Sequence, residues 1–316
     1  MSEIKTPAEA ARELLYKKKT VYERRDEAAI EAAYEYAKGY AAYLDAAKTE
    51  REAVWASIKL AEAEGFVSYS FGDEIKEGGK YYYNNRGKNL FLFSVGEEAL
   101  TEGIRISAAH IDSPRIDVKP NPLYEADEIA YLKTHYYGGI KKYQWPTIPL
   151  AIHGVVCRKD GSSVTVTIGE DENDPVLYIS DLMPHIAKDQ VAKTASNVIS
   201  GESLNLITGS LPFDEEEGVK LNVLSILHEK YGMEERDFMT AELSAVPAQK
   251  SREVGLDRSM IAAYGMDDKI CAYPSLRALE DLDVPKHTCV VFLADKEEIG
   301  SEGVTGLRSE AYAAFL

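Results

Sequence analysis

The chain has 316 residues, 45% of them hydrophobic, and a formal net charge of -17. That length allows one large or two ordinary domains with a sizeable buried core. The acidity argues against a nucleic-acid or anionic-membrane partner, because phosphate binding needs a basic stripe and none is present.

The opening MSEIKTPAEAARELL lacks the basic-then-apolar order of a signal peptide, and no apolar run approaches a membrane span, so a cytoplasmic location is the default expectation. Residues 7–18 and about 26–64 are rich in Ala, Glu, Lys and Leu. Ile30, Ala33, Tyr34, Ala37, Ala41 and Leu44 recur at helical spacing, which predicts helices, the second ending at Gly65. The interleaved tyrosines read as a packed or oligomer-facing helix face. Residues 80–83 and 89–93 flank Asn84-Asn85-Arg86-Gly87, a predicted hairpin with Gly in the turn. A further strand over 103–109 leads into His110-Ile111-Asp112-Ser113-Pro114. With the period of 2 in a strand, His110 and Asp112 share a face. A carboxylate that holds one imidazole nitrogen fixes the tautomer offering the other to a metal, although a core histidine with a single hydrogen bond looks the same in sequence.

Pro114, Pro120 and Pro122 mark a boundary, after which residues 119–235 read as a mostly β insertion. It holds a hairpin-like pair, 150–158 and 162–168, around Lys159-Asp160-Gly161, and a strand-like stretch at 176–179. His135, His153 and His185 lack metal-ligand spacing to one another and are expected to be structural; the acidic stretches 170–174 and 214–217 are expected to be solvated loops. A strand is predicted over 238–243. The pair Asp267-Asp268 then precedes a helix-like run at 270–279, where it either caps the helix or supplies a carboxylate that bridges two cations. Pro274 implies a kink or a late start for that helix.

The apolar run 289–294 reads as a buried parallel strand, and Asp295-Lys296-Glu297-Glu298-Ile299-Gly300-Ser301 follows it, where α/β sheets gather their chemistry. Adjacent glutamates are ordinarily just solvated. On an extended backbone, however, Glu297 and Glu298 point apart, so one can face a metal and the other a water beside it. Cys157, Cys271 and Cys289 are an odd count without CxxC spacing and are expected to be buried small hydrophobes.

Four motifs in order, His110-Ile111-Asp112-Ser113-Pro114, Tyr137-Gly138-Gly139-Ile140 with Trp145, Gly265-Met266-Asp267-Asp268 and the segment from Asp295 to Ser301, resemble the signatures of the aspartyl aminopeptidase family, which includes vacuolar aminopeptidase I. The stretch HYYGGIKKYQWPTIPLAIHGVVC is most similar to the vacuolar branch. The resemblance implies a three-layer α/β zinc-exopeptidase-like catalytic domain, residues 1–118 and 236–316, interrupted by a β-rich dimerisation domain at 119–235. It also implies a dimer-based homo-oligomer, typically a dodecamer, acting on peptide substrates. Carried over by position, His110 and Glu298 would each bind a zinc ion, Asp267 would bridge two, Glu297 would be the general base and Asp112 would orient His110. Imidazole and carboxylate ligands also accept manganese or cobalt.

The family pattern places a further Asp ligand and a late His ligand downstream of the glutamate pair, whereas this sequence ends at Leu316. His287 precedes its strand and His228 lies in a helix-like part of the insertion, so neither substitutes. The expectation is therefore an aminopeptidase lacking the end of its catalytic domain, with residues 309–316 an apolar helix left nothing to pack on. An assembly or binding protein that keeps the fold is the alternative, and a dinuclear deacylase is a third possibility.

Overall fold

The computed structural model describes residues 6–214 and 218–316, in two compact units, Met1–Ala41 and Ala42–Leu316. In the first unit, helices α1 (Pro7–Leu14) and α2 (Val21–Arg24) each open on a capping box, Thr6 with Glu9 and Thr20 with Glu23. In each box the hydroxyl accepts the N–H three residues on and the glutamate accepts the N–H of the cap, so two orphan donors are satisfied. The long helix expected through residue 64 is two helices, α3 (Glu27–Ala46) and α4 (Glu50–Ala63). The break falls at Thr49, which forms another capping box with Glu52, next to the buried Lys48.

The site-bearing sheet has five strands in the order β1-β2-β3-β13-β4. They are β1 (Val67–Ser68), β2 (Lys80–Asn85), β3 (Asn89–Ser94), β4 (Arg105–His110) and β13 (Cys289–Ala294). The predicted hairpin is β2 and β3, its turn closed by the Gly87 N–H donating to Asn84 Oδ1 at 2.8 Å. Strand β13 is almost wholly buried, as its β-branched and aromatic side chains require. It runs antiparallel to β3 on one side and parallel to β4 on the other.

The second sheet has six strands, in the order β8-β7-β10-β5-β6-β9. It comprises β5 (Arg115–Ala126), β6 (Ile129–Tyr137), β7 (Leu150–Cys157), β8 (Ser163–Ile168), β9 (Leu206–Gly209) and β10 (Ala241–Pro247). The hairpin predicted around Lys159-Asp160-Gly161 is β7 and β8. Helix α5 (Lys188–Val191) is a single turn, and α6 (Val219–Tyr231) contributes Val219 and Val223 to the core of this sheet. The pair β11 (Arg252–Val254) and β12 (Met260–Ala262) forms a separate ribbon.

Several expectations change. Residues 176–179 make only isolated bridges, Leu150 with Leu177 and Tyr178 with Ile207. The strand predicted at 238–243 is a 3₁₀ turn, Glu235–Thr240, followed by β10, whose partners β5 and β7 belong to the second sheet. Glu170 is not a solvated loop residue: it pairs with Lys48 and His153. Its fellow acidic stretch, 214–217, lies mostly outside the described residues. Cys157 and Cys271 are exposed and Cys289 half-buried. Helix α7 (Met266–Glu280) contains Pro274, but Asp267 and Asp268 have non-helical backbone angles, so the regular helix starts late. The last helix, α8 (Glu310–Phe315), does pack: Tyr312 is buried, and the Phe315 ring lies 4.6 Å from that of Phe91 and 5.5 Å from that of Phe93. An apolar face needs a partner, and the aromatic side chains of β2, β3 and β13 provide one.

Candidate metal centre

Strand register assembles the rim. Because β13 runs parallel to β4 with Ala294 opposite His110, the segment after β13 emerges beside His110, beyond the carboxyl ends of two parallel strands. Lys296 then adopts a left-handed conformation, φ +67°, and turns the chain into a 3₁₀ turn, Glu297–Ile299. Glu297 and Glu298 therefore diverge around a tight turn, not along an extended strand. At the start of α7, Gly265 occupies the cap position without any side-chain cap bond, and the peptide bond between Asp267 and Asp268 is cis.

His110 Nε2 stands 3.2 Å from Asp267 Oδ1 and 3.7 Å from Glu297 Oε2. On the other side of the ring, Nδ1 lies 3.0 Å from the Asp112 carbonyl oxygen and 3.4 Å from its carboxylate. Burial opposes a charged imidazole, but the contacts with Asp112 outweigh it and raise His110 to about 9. The Glu298 carboxylate turns toward Gly138: a Cβ at that glycine, φ +73°, would stand 3.2 Å from Glu298 Oε2. Burial raises the Glu298 carboxyl above its ordinary range, opposed by His110.

Asp112 is fully buried and does more than face His110. Its two carboxylate oxygens accept the N–H groups of Glu297 and Glu298, each at 3.2 Å, so it fixes the turn that carries both glutamates. Tyr137 Oη donates to Asp112 Oδ2 at 2.7 Å. Burial would raise Asp112, yet the bonds from His110, Tyr137 and the Glu298 N–H hold it low. The sequence reading placed Tyr137 inside a motif without giving it a contact. Its partner is 25 residues away, and only the pairing of β5 with β6 brings the two together.

The donor chemistry suits a divalent cation. Among the described residues, Asp267, Glu297 and Glu298 have no Lys or Arg within ion-pair distance, and Asp267 and Glu297 flank one imidazole nitrogen whose partner nitrogen is already held. An imidazole nitrogen flanked by carboxylates is a donor set that divalent zinc accepts. The side chains do not close into a cage, however: among the described residues no group of three or more His, Cys, Asp or Glu meets at one metal-holding point.

The other histidines stand apart. His153 is buried with Nδ1 2.6 Å from Glu52 and Nε2 3.0 Å from Glu170. His228 Nδ1 meets the Met233 carbonyl, His287 pairs with Glu98, and His185 is exposed. His135 lines a cavity of about 470 Å³ beside the rim, together with Arg115, Tyr137 and Ile299.

Fold and rim together define a class: α/β proteins that present an imidazole and carboxylates at the ends of parallel strands. The chain belongs to the aminopeptidase I zinc metalloprotease (M18) family, whose model matches residues 43–316. It is 48% identical over 307 residues to a probable M18 family aminopeptidase 1 of Clostridium acetobutylicum, covering 95% of this chain and 66% of that protein. The crystal structure of the M18 aminopeptidase from Thermotoga maritima superposes with a TM-score of 0.88 at 44% identity, covering 95% of this chain and 66% of that one. A structure of the Saccharomyces cerevisiae mApe1 dodecamer shares the fold, with a TM-score of 0.68 at 19% identity over 88% of this chain and 64% of that one. The chain thus spans just under two thirds of the length of the curated relatives it matches.

Proposed function

We propose that the protein is a metal-dependent aminopeptidase that removes N-terminal residues from peptides. The observation that carries this reading is the pair of carboxylates, free of Lys and Arg, beside His110 Nε2 on a chain of the M18 family. In this reading His110, Asp267 and Glu298 would hold the two zinc ions; manganese or cobalt would suit the same donors. When bound, the metal supplies Lewis acidity toward the scissile carbonyl and toward a water. Glu297 takes the proton of the attacking water and hands it to the departing amine, so one carboxylate acts as base and then as acid. Asp112 keeps His110 Nδ1 occupied and its Nε2 turned to the rim, and Tyr137 holds Asp112. The catalytic unit would comprise residues 1–118 and 236–316, with 119–235 an inserted dimerisation domain in a dimer-based oligomer.

The test incubates zinc-, manganese- and cobalt-loaded protein with matched peptides, one with a free and one with an acetylated N-terminus, and follows released amino acids by mass spectrometry. Release from the free-amine peptide alone is expected. No release with any metal overturns the reading, and turnover of acylated amino acids alone points to a deacylase. A second reading, a binding protein that keeps the fold without the chemistry, is favoured by the lack of a closed ligand cage among the described residues. It requires bound metal with no hydrolysis of either peptide.

A further inference from the structure

Asp267 is held at the rim by its backbone. Its side chain is 84% exposed and meets His110 at 3.2 Å. Its carbonyl oxygen, however, accepts a hydrogen bond from Ser113 Oγ at 3.2 Å, and that hydroxyl in turn accepts one from Lys269 Nζ at 2.8 Å. Both side chains are sealed from solvent, Lys269 at 0% and Ser113 at 1% exposure. A serine hydroxyl has one proton and an ammonium can only donate, so the direction of the chain is fixed: Lys269 to Ser113 to Asp267. Ser113 follows Asp112 directly. One hydroxyl therefore ties the strand end that carries His110 and Asp112 to the turn that carries Asp267.

The surroundings are shaped for this chain of bonds. Gly265 adopts φ +75°, and a Cβ there would stand 2.9 Å from Lys269 Nζ and 3.1 Å from Ser113 Oγ. Among the described residues no carboxylate lies within 4.0 Å of the Lys269 ammonium. A buried ammonium costs stability that an apolar side chain of similar volume would not, and what a methionine could not supply here is the hydrogen bond to Ser113.

We propose that Lys269 and Ser113 are positioning residues that aim the Asp267 carboxylate at His110 Nε2 and thereby set the affinity of the rim for a divalent cation; this rests on the metal-centre reading above. Competition with a chromophoric chelator measures zinc affinity in the wild type, Lys269→Met, Ser113→Ala, Ser113→Thr and the Lys269→Met/Ser113→Ala double variant. Lys269→Met and Ser113→Ala are each expected to weaken zinc binding about 10-fold, the usual scale for groups that orient a metal ligand. The double variant should be no weaker than the worse single one, because both break one chain. Ser113→Thr keeps the hydroxyl and should retain most of the affinity.

Circular dichroism on the same samples separates loss of fold from loss of affinity. Should Lys269→Met not fold, Ser113→Ala, which removes a single oxygen atom, decides alone. Wild-type affinity in Ser113→Ala overturns the proposal, as does a Thr variant as weak as the Ala variant. A wild-type chain that binds no zinc defeats the metal-centre reading and this proposal with it. Tight wild-type binding with unaltered variants defeats the positioning role only.

Discussion

Two groups of carboxylates, chemically identical and close in space, behave in opposite ways. At the rim, Asp267 and Glu297 are exposed and face an imidazole without a Lys or Arg. Beside the cavity, Glu50 and Asp117 are gripped by Arg115, each at 2.7 Å, and Glu50 also receives Lys88 at 2.9 Å. Burial would raise Glu50, but Arg115 and Lys88 overwhelm it and hold the carboxyl well below the ordinary range. The difference shows where the molecule keeps its negative charge available. Paired carboxylates tie helix α4 to the second sheet, because Glu50 and Glu52 sit on α4 while Arg115 and His153 sit on β5 and β7. The rim carboxylates have only the His110 imidazole beside them.

The sharpest way to break that comparison is Glu297→Gln. If Glu297 is the proton carrier, kcat on a free-amine peptide should fall by about 10²- to 10⁴-fold while zinc affinity holds. A loss of zinc instead would make Glu297 a ligand, which its 3.7 Å approach to His110 Nε2 allows.

Next in size is Arg115→Met. It strands Glu50 in the interior with Lys88 alone, and breaking a buried pair from one side typically costs about 3–5 kcal/mol. Urea unfolding should show a correspondingly lower midpoint. An unchanged midpoint would mean that Arg115 does not tie α4 to the second sheet.

His153 gives the pH dependence. Burial pushes its imidazole down, but hydrogen bonds to Glu170 and Glu52 prevail and raise it to about 9 from an ordinary 6.5. A group whose pKa is higher folded than unfolded binds its proton more tightly in the native state. Its stabilising effect is therefore complete below pH 6.5 and lost as pH climbs through about 9. The facing groups are Glu52, Glu170 and, bound to Glu170, Lys48. The shift corresponds to roughly 3 kcal/mol. Wild type minus His153→Gln, from urea midpoints across that range, should show a stability advantage shrinking as pH rises; a flat difference would mean that His153 does not stabilise the fold through Glu52 and Glu170.

The smallest effect belongs to Arg308→Ala. Its pair with Glu302 has side-chain exposures of 71% and 68%, and water competes so well there that the change should lie within about 0.5 kcal/mol.

Much of this molecule is legible in the residues themselves. The β2–β3 hairpin announces itself through Asn84-Asn85-Arg86-Gly87, and the buried strand β13 through an unbroken apolar run. His110, Asp267 and the glutamate pair could be picked out as chemistry at element ends, because a strand of period 2 and a short apolar run locate such ends without any knowledge of partners. The misses have a common cause. The break at Thr49, the membership of β10 in the second sheet, the packing of α8 on Phe91 and the burial of Glu170 are all decided by residues distant in the chain, which local periodicity does not encode.

What the sequence by itself determined is therefore the cast: an acidic α/β chain with one imidazole and several carboxylates placed after strands. What only the tertiary structure decided is their company. The parallel register of β13 on β4 sets Glu297 beside His110, and the meeting of β5 with β6 puts Tyr137 on Asp112. The fold closes Lys269 and Ser113 beneath Asp267. It also sends Arg115 and Lys88 to Glu50 and Asp117 rather than to the rim. The physical reason is that charge and hydrogen bonding act over a few ångströms of space, whereas residues that come that close are often more than a hundred positions apart in the chain.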